Sequence, residues 1–116
     1  MRTPGIPLLL TIALAASAVF GLVAGGAAIS GNGMFPFMDA AWGGRSIGAG
    51  LVALLAILLR NPTAYLIAFV SSVPREIGDI IQFTALESVD WSIVGVTAVF
   101  LIFWIVGSIV AFRARV

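Results

Sequence analysis

Four ionisable residues stand where an apolar chain can least accommodate them: Arg45, and the cluster Arg75, Glu76 and Asp79 within Pro74-Arg75-Glu76-Ile77-Gly78-Asp79. A charged side chain inside a membrane segment costs roughly 2.5 to 3.5 kcal/mol on insertion scales, so each charge must belong to a polar pathway, a binding site or an ion pair. Asp79 follows Glu76 by three positions and Arg75 by four, which lets it share a helix face with either. At 1.5 Å of rise per residue, Arg75 lies ~17 Å, Glu76 ~18 Å and Asp79 ~22 Å beyond the turn at residues 60 to 63, and Arg45 lies ~21 Å back from Leu59 on the preceding segment. The four are level, and their formal charges cancel. Arg45 is therefore expected to reach Glu76 or Asp79 across a helix contact, with Arg75 closing the network against Asp79. Arginine suits this role because its planar fork can donate two parallel hydrogen bonds to one carboxylate.

Glu76 and Asp79 are the candidate catalytic or proton-carrying groups. Arg45, Arg75, Glu76 and Asp79, with Trp42, Ser72 and Gln82, form the candidate ligand-binding set. The chain has no Cys, His or Lys, which removes thiolate nucleophiles, imidazole bases, the usual zinc and haem ligands and Schiff-base chemistry. No metal and no cofactor is expected. Pro74 cannot donate to the Val70 carbonyl, so a kink is expected between Val70 and Pro74, with Ser71, Ser72 or water meeting the freed oxygen. Gly44 and Gly48 should leave room for the Arg45 side chain, and Gly78 for Asp79. Kink, hydroxyls and charges at one level describe a polar pocket.

These residues need elements that hold them. The chain has 116 residues, of which 61% are hydrophobic and 9% charged. Its mean hydropathy is +1.18. Soluble domains carry about a quarter charged residues, so an ordinary soluble fold is excluded. The apolar residues fall into four runs, 6–29, 37–59, 64–83 and 91–112, each close to the ~20 residues a helix needs to cross a bilayer. Period-2 alternation is absent, which argues against strands. The expectation is an all-α, integral-membrane, antiparallel four-helix bundle forming a single domain over residues 1–116. The first run resembles a signal peptide in its leading Arg2 and Leu8-Leu9-Leu10, but exceeds a typical h-region and reads as a retained helix.

Arg2, Arg60, Arg113 and Arg115 fall on one side of such a bundle, and Asp39, Glu87 and Asp90 on the other. That pattern predicts a multi-pass protein of the cell membrane with both termini cytoplasmic. Asp39 suits the first turn of the second helix, where a carboxylate meets the positive end of the helix dipole. Met34 to Met38 should lie at the outer interface, with Trp42 and Trp91 in an aromatic belt. The spacing of Gly21 with Gly25, Gly44 with Gly48, and Gly107 with Ala111 predicts close helix packing within the monomer, and secondarily a homodimer or membrane-complex face. The net charge of +1 is too small to indicate nucleic acid as a partner.

Gly44-Arg45, the following Gly48-Ala49-Gly50-Leu51, then Arg60 and the acidic third helix resemble the DoxX-like superfamily of small four-helix membrane proteins over about Gly43 to Ile81. The resemblance implies a four-helix bundle and an accessory role in membrane redox systems; the Pro74-Arg75-Glu76 run departs from its pattern. Small multidrug transporters share the size, but their essential Glu lies in the first helix, which has no acid here. The leading functional expectation is a non-enzymatic or accessory bundle, with the lipid bilayer as its surroundings, that binds a small apolar or lipid-like ligand at the charged layer of its outer half. A small-solute or proton transporter using Glu76 and Asp79 is the first alternative; a membrane isomerase or epoxide-opening enzyme using a carboxylate acid or base is the second. The bland reading is a self-neutralising cluster that only sets helix register.

Overall fold

The computed structural model describes residues 5–115. It contains four helices: α1 Leu8–Ile29, α2 Ala40–Leu59, α3 Pro62–Thr84 and α4 Trp91–Ala114. Among the described residues there is no strand. Helices α1, α2 and α4 are long and apolar enough to cross a membrane. Helix α3 is as long, at 23 residues, but Arg75, Glu76 and Asp79 set it apart from the other three. Arg2, one of the charges in the orientation reading, lies outside the described residues.

Capping chemistry explains where the helices begin, and it moves several expected boundaries. Pro7 precedes α1, which starts at Leu8 rather than residue 6. The Asp39 carboxylate accepts the Trp42 amide hydrogen at 2.8 Å, so Asp39 is the cap of α2 and not part of its first turn. Asn61 caps α3 by accepting from Ala64 N at 2.8 Å, and Pro62 takes the first helical position, where its missing donor is harmless. The expected four-residue turn therefore shrinks to Arg60 and Asn61. Arg60 closes α2 in the left-handed conformation, φ 54°. Asp90 caps α4 through the Ser92 amide at 3.0 Å.

The helices pair as two hairpins. Gly21 and Gly25 of α1 press on the α2 backbone: an added Cβ would stand 2.6 Å from Ser46 O and 2.7 Å from Gly43 O, respectively. Contacts descend α2 as they climb α1, so the two helices run in opposite senses. The expected Gly44 and Gly48 take no part, because nothing lies within 4 Å of a Cβ added to either; the helix turns Gly43, Ser46 and Gly50 toward α1 instead. In the second hairpin, Phe69 of α3 lies over Gly107 of α4, with its ring 5.8 Å from that of Trp104.

Between hairpins the contact is thinner. In the half that holds the chain termini it is filled by Leu10, Leu14, Ala56, Tyr65, Phe69 and Trp104, all buried. Thr11 and Tyr65 join α1 to α3 there through their hydroxyls, 3.2 Å apart. In the opposite half the hairpins meet through Phe37 on Phe83 and Arg45 on Asp79, while Ala28, Met38 and Trp42 pack within the first hairpin. The exterior is apolar, as Val23, Leu58, Ile67, Ile102 and Ile109 illustrate.

Candidate ligand-binding site

The polar layer rests on α3 and is met from α2. Glu76 and Asp79, one turn apart, are 7% and 6% exposed. Arg45 Nη2 donates to Asp79 Oδ1 at 2.9 Å, joining the two hairpins. Arg75 Nη2 lies 2.8 Å from Glu76 Oε1. Arg75 was expected against Asp79; it turns instead to the adjacent Glu76, because Asp79 is already engaged by Arg45 and the arginine stem is long enough to fold back along the helix. Each carboxylate thus has its own guanidinium. The pairs differ in setting: the Arg45 side chain is 45% exposed, on the outside, whereas that of Arg75 is 17% exposed.

Between the hairpins, in the half remote from the termini, is a cavity of about 450 Å³. Such a volume falls within the range of small-molecule sites. Its polar lining includes Arg75, Glu76, Asp79 and Ser46, and its walls are the rings of Phe20, Phe37, Trp42, Phe83 and Phe100. Phe37 anchors the loop between α1 and α2, packing at 4.7 Å on Phe83 and at 6.0 Å, edge-on, on Trp42. Met34 is exposed, whereas Phe37 and Met38 turn inward because these rings and the α1 surface give them an apolar seat.

Among the described residues, three buried side-chain polar atoms have no hydrogen-bond partner: Ser46 Oγ, Arg75 Nε and Trp104 Nε1. Ser46 and Arg75 line the cavity. Trp104 stands beside Glu76 without completing a hydrogen bond. An unmet buried donor forfeits about 1–3 kcal/mol relative to a satisfied one, so Ser46 Oγ and Arg75 Nε are the lining atoms that an occupant could satisfy.

Of the seven expected ligand-binding residues, Arg75, Glu76, Asp79 and Trp42 line the cavity. Trp42 is 8% exposed and faces inward rather than sitting in a belt, while Trp91 is exposed. Arg45 touches Asp79 from outside the cavity. Ser72 is buried, and its hydroxyl is spent on the Ala68 carbonyl at 2.8 Å. Gln82 is exposed on α3 and does not line the cavity. Helix α3 continues through Pro74, and Ser71 also donates to Ala68 O, so neither hydroxyl meets the carbonyl the proline frees. Sequence reasoning missed Ser46 and the phenylalanines; Ser46 had a signal in its place next to Arg45, whereas a phenylalanine among other apolar residues had none. Among the described residues no group of carboxylates is gathered to hold a metal ion. Comparison of the chain with protein-family models, with curated proteins and with solved structures finds no match.

Proposed function

We propose that this protein is an integral-membrane bundle of four antiparallel helices that binds a small apolar or lipid-like molecule between its hairpins, with no catalysis of its own. One observation carries the reading: a ring-walled cavity with a charged floor inside a chain whose exterior is apolar. The longest dimension, 45 Å, suits a bilayer with its headgroup regions. Helix α3 crosses in this reading because Glu76 and Asp79 point inward and are paired, which removes them from the lipid face. Arg60, Arg113 and Arg115 at one end, and Asp39, Glu87 and Asp90 at the other, support a reading with both termini in the cytoplasm. Membership of the DoxX-like superfamily belongs to the same proposal and would make the bundle an accessory subunit.

Native mass spectrometry of the protein purified in mild detergent tests this. A co-purifying small molecule should be present, and should be lost in Ala49→Phe, which fills the cavity from α2, while far-UV dichroism stays unchanged. An empty wild-type protein that also takes up no added amphiphile removes the reading. The second reading, a proton or small-solute pathway, draws on both carboxylates facing the cavity; proteoliposome flux insensitive to Glu76→Gln and Asp79→Asn eliminates it. The guanidinium on each acid favours binding over carriage.

A further inference from the structure

The polar floor restricts the kind of head an occupant can have. Two carboxylates, Glu76 and Asp79, and one guanidinium, Arg75, line the cavity, and the fourth charge, Arg45, lies outside it. An anionic head would meet two carboxylates at close range. A cationic head would find both acids already paired, at 2.8 and 2.9 Å, with no net charge left to offset its loss of water. An ester or ketone could accept from Ser46 Oγ and Arg75 Nε but brings no donor for the Glu76 and Asp79 carboxylate oxygens. A bare hydrocarbon would leave Ser46 Oγ and Arg75 Nε unmet.

A hydroxyl avoids each conflict, because it donates and accepts at once. Resting on the binding reading above, we propose that the cavity takes an uncharged amphiphilic alcohol, its hydroxyl donating to the Glu76–Asp79 carboxylates and accepting from Ser46 Oγ and Arg75 Nε, its apolar body held by the surrounding rings. Ser46 is 2% exposed, and its hydroxyl reaches the occupant by rotating about a single bond. Phe20, Phe37, Trp42, Phe83 and Phe100 supply flat apolar walls for a chain or fused-ring body.

The test compares hexadecane, 1-hexadecanol, methyl palmitate, palmitate and hexadecylamine as probes of one chain length, with dissociation constants read by native mass spectrometry of the detergent-solubilised protein. Hexadecanol should bind about tenfold or more tighter than hexadecane, and tighter than the other three. Ser46→Ala should shrink the hexadecanol-to-hexadecane ratio severalfold while leaving hexadecane binding in place. Arg75→Lys keeps the charge opposite Glu76 but removes Nε, and should shrink the ratio as well. A ratio near one in the wild type, or tighter binding of the amine, acid or ester, overturns the hydroxyl assignment while leaving a binding cavity. Failure of every probe overturns both. Because each variant is read as a ratio within one protein, a general loss of folding cannot imitate the result.

Discussion

Removing either partner of the Arg45–Asp79 pair should have unequal consequences. The carboxylate of Asp79 is buried, with a side chain 8% exposed, whereas that of Arg45 is 45% exposed. Arg45→Met preserves most of the apolar stem and leaves Asp79 buried without a counter-ion. Breaking a buried pair by removing one partner costs about 3–5 kcal/mol, because the remaining charge is left uncompensated. That figure is a ceiling, and the partial exposure of Arg45 lowers the pair's contribution, so about 2–3 kcal/mol is expected. Asp79→Asn instead frees a guanidinium that can already reach outward, keeps an acceptor in place, and relieves Glu76 of a like charge one turn away. Its cost should stay below about 1 kcal/mol. The double variant Arg45→Met with Asp79→Leu should recover most of the loss, since no uncompensated charge is left. Reversible unfolding by SDS titration from dodecylmaltoside micelles, followed by far-UV dichroism, measures all three. Equal costs for the single variants, or a larger cost for Asp79→Asn, would refute the burial asymmetry.

Packing yields three further expectations. Gly107→Ala should lower stability by about 1–3 kcal/mol, because its Cβ would stand 2.9 Å from three atoms of the Phe69 ring, which is wedged in the core; Gly95→Ala, with open space around it, should be neutral or stabilising, and thermal melts compare them. Gly21→Ala meets backbone that cannot yield and should destabilise the α1–α2 hairpin by a similar amount, whereas Gly44→Ala and Gly48→Ala should leave the melting temperature unchanged or raise it. If these last two instead dissociate an oligomer in analytical ultracentrifugation, the exposed glycines serve a partner. Tyr65→Phe deletes the link to Thr11 between the hairpins and should cost about 0.5–1.5 kcal/mol in the same melts.

Much of the scaffold was legible in the residue order. Four apolar runs of membrane-crossing length, set off by Pro7, Asp39, Asn61-Pro62 and Asp90, mark the four helices within a few residues, because hydropathy and capping are local properties. Depth counting brought Arg45 level with Asp79, because helical rise is constant and the connecting turn is short. Other choices could not be read in this way. Which of Gly43 and Gly44 meets α1, whether Arg75 turns to Glu76 or Asp79, and whether Trp42 faces lipid or cavity each depend on a rotation of the helix about its axis. In a soluble chain, polarity reveals that rotation by separating the outer face from the inner. Here the surroundings of the proposed bundle are as apolar as its interior, so the same residues serve on both sides. Only the packing of one hairpin on the other decided which rings enclose the charged floor.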